Sequence, residues 1–487
     1  MNVIEYMREK KIFYLILGFI FSIPSVGRFN FPLLIFIWPY CFLIFLHQNK
    51  SKILPLIVVS ILLVASNMIR WIGIYNGSLY ISFLAGLYFS IINIIPYIID
   101  NIIYNKISKW ASVFAFPLLV SFIEYVFEFS PIANFNVFAY ALRNNVQIIQ
   151  ICSLFGCYFL SFVIALFASV MDYSHEVYKK ENKISKFVYF YAIIILFITS
   201  FGAIRLLIPE KEERYNIASV LGTSQCLYDL GKQTTLPINE YMDYIQNVII
   251  KANKSEAKIL LFAEEAFGLY LKDRNELINF IAKLAEKYNI FVVLTLGVAV
   301  DSETFKNEAI LISDKGKVLY NYDKKNLIVI MESMFQSNNS EYKTFDTELG
   351  KLGVVICYDI NYPDYLNQLS RLGLDTLLIP SWDWVGLTEY HSLNLRFRSI
   401  ENGFNAMKST AHGITLGTDY KGRFLSYFKP YECEEYFVLT SLYKKGTKTL
   451  YLYIGKYFNY LYLVVFIIIV IIGRCTMKKE SEKLKIK

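Results

Sequence analysis

The stretch GVVICYDINYPD, residues 353–364, ends an apolar run on a cysteine that directly precedes Tyr358 and Asp359. Gly353–Ile356 has the composition of a buried strand. Strand-like and helix-like segments alternate on both sides of it. Before it come YNIASVLG (215–222, strand), EYMDYIQNVIIKANK (240–254, helix), KILLFAEEA (258–266, strand), ELINFIAKLAEKYN (276–289, helix) and IFVVLTLGVAV (290–300, strand). NEAILISDKGKVLYNYDK (307–324) reads as a hairpin turning at Asp314–Gly316. After it come a helix near 363–373, the strand LDTLLIPS (374–381), a helix over 388–402, and the strands NAMKSTAHG (405–413) and YFVLTSLY (436–443). The alternation predicts an α/β layered domain over 211–446.

The rest of the chain is different. Of its 487 residues 55% are hydrophobic and 18% charged, against about 45–50% and 25% in soluble domains. The excess lies in residues 1–210 and 447–487. A bilayer-crossing helix needs about 20 apolar residues. Spans are predicted at 11–27, 31–46, 53–73, 79–103, 112–129, 146–171, 187–208 and 450–473. The fold class is therefore a multi-span helical membrane protein with an inserted α/β domain. The net charge of +8 does not imply nucleic acid, because the basic residues cluster beside spans. Arg8, Lys10 and Lys11; Lys50 and Lys52; Lys106 and Lys109; Lys179, Lys180, Lys183 and Lys186; and the tail from Arg474 all fall on one side of an eight-span chain. The positive-inside rule puts both termini in the cytoplasm and the α/β domain outside. Glu124 and Glu128 fall within the fifth span, either as a polar lining or, for Glu128, as its outer end. No C-x-x-C pair occurs, so zinc and dithiol chemistry have little support. Cys226 and Cys433 form a disulfide only if they prove adjacent in an extracytoplasmic domain.

Three reactive groups stand at or beyond strand ends: Glu264, Lys324 and Cys357. A carboxylate can take the thiol proton, and an ammonium can hold a tetrahedral oxyanion. The Tyr358 backbone N–H offers a second donor. Taken alone, Cys357 reads first as a small buried core residue. Neighbours on a strand face opposite ways, so one of Glu264 and Glu265, and one of Lys324 and Lys325, faces Cys357. Asp359 shapes the pocket or pairs with Arg396 or Arg398. His391 and His412 suggest a Cys–His pair, but with a glutamate base at hand His391 reads as a packing residue of its helix. Trp382 and Trp384 contact lipid chains or belong to the core.

The order Glu…Lys…Cys on this layered pattern resembles the nitrilase (carbon–nitrogen hydrolase) superfamily, and the spans narrow the resemblance to the apolipoprotein N-acyltransferases. FAEEA (262–266) is similar to W-P-E-T-A, YDKKNL (322–327) to Y-x-K-x-H-L, and ICYD (356–359) to I-C-Y-E. HSLNLRFRSIEN (391–402) resembles Q-H-x-x-x-x-R-x-R-A-x-E, and IIQICSLFGCYFLSF (148–162) resembles L-I-Q-x-x-x-x-x-G-x-Y-G-V-S-F. The resemblance implies an αββα sandwich with the catalytic set Glu264, Lys324 and Cys357. It implies an assisting Glu332, and a pocket that includes Tyr358, Asp359, Trp382 and Trp384. It implies a monomeric bacterial inner-membrane enzyme, with no metal or cofactor. Such an enzyme moves an acyl chain from a phospholipid, through a cysteine thioester, to the N-terminal amine of a lipoprotein. The sequence departs from the pattern at Ala263, at Asp359, in NLIVIMES (326–333) and in SWDWVG (381–386). CYDxxYPD is closer to soluble nitrilase-type amidases, so a membrane-tethered amidase is the alternative.

Overall fold

A computed structural model describes the chain except residues 1–10, 28, 75–77, 134, 211–212, 222–236, 330, 338–340, 384–385, 430–436 and 487. Trp384, Cys226 and Cys433 thus lie outside the described residues. The chain divides into two units, Met1–Ile208 with Tyr453–Lys487, and Pro209–Leu452.

The first unit is helical. Its elements are α1 (Ile12–Ser22), α2 (Leu34–Gln48), α3 (Ile53–Trp71), α4 (Leu79–Ile103), α5 (Lys109–Phe127), α6 (Val146–Ile149), α7 (Cys152–Phe155), α8 (Cys157–Glu181), α9 (Lys186–Leu207) and α14 (Leu450–Ile486), the last of which begins in the second unit. Among the described residues, α3, α4, α5, α8, α9 and α14 are long and apolar enough to cross a membrane. The expected span over 146–171 needs correction. Residues 146–155 form two single turns, and the long helix starts only at Cys157. The break falls at Gly156, at φ 79° and ψ 172°, a conformation open to glycine and closed to most residues. The helix packs its small residues Ser161, Ala165 and Ala168 inside the bundle, where they permit close backbone approach. Glu124 accepts the Phe138 backbone N–H at 2.8 Å, and Glu128 accepts the Tyr158 hydroxyl at 2.7 Å. Both glutamates therefore tie helices together within the bundle.

The chain's turns gather basic residues at one end of this bundle. Lys52 and Lys109 lie over the Tyr104 ring, Lys109 and Lys180 pair with Glu176, and Ser108 bonds the backbone of Gly473. Lys11, at the start of α1, bonds the Gln48 carbonyl at the end of α2. The two short helices thus form a hairpin that returns the chain to the end it left.

The second unit is a sandwich of two sheets. The first has the order β13-β1-β2-β4-β5-β6, with β3 paired to β4. Its strands are β1 (Arg214–Val220), β2 (Ala257–Phe262), β3 (Phe267–Tyr270), β4 (Phe291–Ala299), β5 (Phe305–Ile312), β6 (Val318–Asp323) and β13 (Phe437–Tyr443). The second has the order β12-β11-β10-β9-β8-β7, built from β7 (Phe345–Thr347), β8 (Gly350–Val354), β9 (Thr376–Trp382), β10 (Asn405–Ala411), β11 (Thr415–Thr418) and β12 (Phe424–Phe428). Period-two alternation divides the side chains. Ile217, Ile259, Val293 and Leu311 meet Leu352, Val354 and Ile379 between the sheets. Val220, Leu260, Val292 and Ile310 face outward, under α10 (Ile238–Lys254) and α11 (Leu271–Tyr288). The helices α12 (Pro363–Arg371) and α13 (Thr388–Asn402) belong to the second sheet's side. The result is the αββα arrangement.

Candidate active site

The strand carrying Cys357 is shorter than its apolar run. β8 ends at Val354, and Cys357 opens a 3-10 turn, Cys357–Asn361. Cys357 has φ 42°, in the left-handed region that non-glycine residues rarely enter. Asp359 holds this turn. One carboxylate oxygen accepts the Ile356 N–H at 3.0 Å and the Tyr322 hydroxyl at 2.6 Å; the other accepts the backbone and side-chain N–H of Asn326 at 2.9 and 2.8 Å. Asp359 therefore fastens the cysteine turn to the chain on either side of Lys324. Arg396 and Arg398 are engaged elsewhere, with the Gly422 carbonyl at 2.7 Å and Glu401 at 2.5 Å. Burial pushes the Asp359 carboxyl up, against the opposing pull of those hydrogen bonds.

Lys324 follows the last residue of β6. Its ammonium is buried and bridges two carboxylates, Glu264 at 2.7 Å and Glu332 at 2.5 Å. Burial alone would favour the neutral amine, but Glu264 and Glu332 overcome it and hold the ammonium well above its usual range. Asn307 donates to the same Glu264 oxygen at 2.8 Å, and the Ile328 N–H donates to Glu332 at 2.7 Å. Lys325 points away, over the rings of Tyr342 and Tyr365. Glu265 also turns off, with φ 51°, and its side chain lies over Gly297 of β4. Burial, and then the charges of Glu264 and Glu332, push the Glu265 carboxyl well up.

Beyond the thiol lies a second charged group. Asp383, just past β9, accepts from Lys408 at 2.6 Å, from His391 Nδ1 at 2.8 Å and from the hydroxyls of Ser392 and Ser381 at 3.0 Å each. All of these are buried. Lys408 and His391 outweigh burial and hold the Asp383 carboxyl well below the ordinary range, while burial and Lys408 push His391 down and keep it neutral. Cys357, Asp383 and His391 bring ligand-type atoms within 4.8 Å of one another. A metal does not fit there, because the Lys408 ammonium sits 2.6 Å from Asp383 and 3.1 Å from His391 Nδ1. The Cys357 thiol donates to the Trp382 carbonyl at 3.8 Å. Burial and Glu264 raise it well above its usual value, so it rests as a neutral thiol.

The structure thus brings Glu264, Lys324, Glu332, Cys357 and Asp359 into one cluster with Trp382. Tyr358 is buried with its ring edge-on to Tyr362. His391, read from sequence as a packing residue, belongs to the charged group around Asp383. His412 lies near the Trp382 ring, at 6.0 Å. Sequence reasoning missed Asn307, Asp383 and Lys408. Lys408 did carry a signal, since a lysine inside the apolar strand NAMKSTA is costly unless paired.

Two family models match this chain. The carbon-nitrogen hydrolase model matches residues 221–435, and the apolipoprotein N-acyltransferase N-terminal domain model matches residues 17–170. The chain thus carries a region matching each of the two domains, a carbon-nitrogen hydrolase domain and an apolipoprotein N-acyltransferase N-terminal domain. It is similar to the apolipoprotein N-acyltransferase of Borreliella burgdorferi, at 21% identity over 94% of this chain and 91% of that protein. It is 23% identical to apolipoprotein N-acyltransferase 2 of Treponema denticola, over 73% of each chain. The "hydrolase in agr operon" of Staphylococcus aureus is 27% identical over 30% of this chain, which spans 56% of that protein's length. A crystal structure of an amidase from Nesterenkonia sp. superposes on 50% of this chain and 94% of its own, at 18% identity and a TM-score of 0.42.

Proposed function

We propose that this chain transfers a fatty acyl chain from a membrane phospholipid to the N-terminal amine of a diacylglyceryl-cysteine lipoprotein. The observation that carries the reading is the buried Lys324 bridge between Glu264 and Glu332 beside Cys357, on a chain that also carries the N-acyltransferase membrane domain. The segment after Lys324 adds to it. Val329, Met331 and Met334 are exposed there, an apolar rim suited to lipid chains.

In this mechanism the thiol of Cys357 turns from the Trp382 carbonyl to Glu264, which takes its proton. Sulfur bonds to the ester carbonyl carbon, and Lys324 with the Tyr358 N–H holds the oxyanion. The carbon–oxygen bond breaks, the lysophospholipid oxygen takes the proton from Glu264, and a thioester remains. The lipoprotein amine then attacks the thioester and loses a proton through Glu264 to the departing sulfur, leaving an amide and the free thiol. Glu332 keeps Lys324 charged and in place. The basic clusters support an extracytoplasmic α/β domain on a bacterial inner-membrane protein.

The test is intact mass after incubation with phospholipid alone. A fatty-acyl increment absent from Cys357→Ala is expected, and a diacylglyceryl-cysteine peptide should then discharge it as an amide. Folded protein that never loads would sink this reading. The second reading is a membrane-tethered amidase, favoured by Asp359 and YPD and by the similarity to omega-amidase NIT3 of Saccharomyces cerevisiae (28% identity over 32% of this chain). Free acid from small amides, with no loading from phospholipid, would support it.

A further inference from the structure

Two ion pairs flank Cys357. Glu264 and Lys324 stand at the ends of β2 and β6 of the first sheet. Asp383, just past β9, and Lys408 of β10 stand on the second. The second pair has no part in the acyl-transfer steps above, and burying two charges is expensive unless each is well partnered. These are: Lys408 is 2.6 Å from Asp383 and 2.9 Å from the Ser392 hydroxyl, and its side chain is fully buried.

The residues beside this pair touch both halves of the catalytic set. Ser381, Trp382 and Asp383 are consecutive. The Ser381 carbonyl accepts the Glu264 N–H at 3.3 Å, and the Trp382 carbonyl accepts the Cys357 thiol. The Asp383 N–H bonds the Ala411 carbonyl of β10 at 3.1 Å. The segment that sets the spacing of Glu264 and Cys357 is thus anchored to β10 by the Asp383 backbone N–H, and by the Asp383 side chain to Lys408, His391 and Ser392.

We propose that Asp383 and Lys408 are positioning residues that hold the Ser381–Trp382 carbonyls against Glu264 and Cys357 and set the charge balance at the sulfur. The proposal rests on the reading of Cys357 as nucleophile. The charged and titratable groups around the thiol are Glu264, Lys324, Asp383, His391 and Lys408, with Glu332 behind Lys324 and Asp359 in its own turn. Of the second pair, Asp383 disfavours the thiolate and Lys408 favours it. Removing either one leaves the other's charge uncompensated, so the two removals act in opposite directions.

The experiment is the pH profile of Cys357 alkylation by iodoacetamide in the full-length detergent-solubilised protein. It is read by mass spectrometry of the Cys357 peptide, on monodisperse fractions only. Lys408→Met should raise the midpoint by about one pH unit, which slows alkylation about tenfold at a fixed lower pH. Asp383→Asn should lower the midpoint, and Lys408→Arg should restore the wild-type profile. Unmoved midpoints, or shifts in the same direction, would overturn the proposal, since a merely structural pair has no reason to give opposite signs. If Lys408→Met does not fold, Asp383→Asn decides alone, and no fall in midpoint overturns it. Phospholipid loading of the wild-type protein is measured in parallel. Opposite shifts without loading would refute the acyltransferase reading and leave the charge balance standing.

Discussion

At Lys324 one ammonium serves two buried carboxylates. Lys324→Met should lower acyl loading roughly 100- to 1,000-fold by losing the oxyanion's charged donor. It should also cost about 3–5 kcal/mol of stability, because two carboxylates are left uncompensated. Single-turnover loading and thermal unfolding check the two effects separately. Glu265 gives a pH signature. Its folded carboxyl holds its proton far more tightly than the unfolded one, whose ordinary value is 4.5. Its stabilising contribution is complete below that value and is lost as pH rises. Glu265→Gln removes this dependence, so the variant's melting temperature should gain on wild type from pH 5 to pH 8. A constant difference would show that Glu265 is ionised in the folded protein.

At the scale of elements, short helices are held by polar contacts as well as by packing. His47, at the end of α2, bonds Asp100 of α4 at 2.7 Å and Asp172 of α8 at 2.6 Å, and its ring stacks on Tyr104 at 3.4 Å. Three helices that are distant in sequence meet on one imidazole. His47→Leu leaves both carboxylates without it in a low-dielectric bundle and should cost about 3–5 kcal/mol. Replacing Asp100 and Asp172 with asparagine in the same variant should recover much of that loss. Thermal unfolding in detergent reads both. The cysteine turn follows the same logic in the α/β unit. Apolar composition carries a strand into Ile356, but the Asp359 carboxylate captures the Ile356 N–H and the chain turns.

For the whole molecule, the side of the membrane on which the α/β unit lies decides which substrates it meets. Among the described residues, six long helices and one short hairpin give an even number of reversals, whether or not α1 and α2 cross fully. A cysteine placed at Lys315, in the exposed β5–β6 turn, should react with an impermeant maleimide in intact cells. One placed at Ser481 should react only after permeabilisation. The reverse pattern would put the domain in the cytoplasm and remove lipoproteins as acceptors.

The sequence by itself determined the class of this protein. Apolar runs of bilayer length, basic clusters on alternate loops and the strand–helix alternation of 214–443 are local properties, and local properties can be read from a chain. Glu264, Lys324 and Cys357 stood out as candidates because each stands at or just beyond a strand-like run. Tertiary structure decided the rest. Strand alternation left Glu264 and Glu265 as rivals until a left-handed backbone at Glu265 sent its side chain to Gly297. The span at 146–171 looked continuous because hydropathy does not register the positive-φ backbone at Gly156. Asp383 and Lys408 lie 25 residues apart, and no periodicity links them. They form a pair because β9 and β10 run side by side as parallel strands. Parallel pairing joins residues across a long crossover, which no local pattern records.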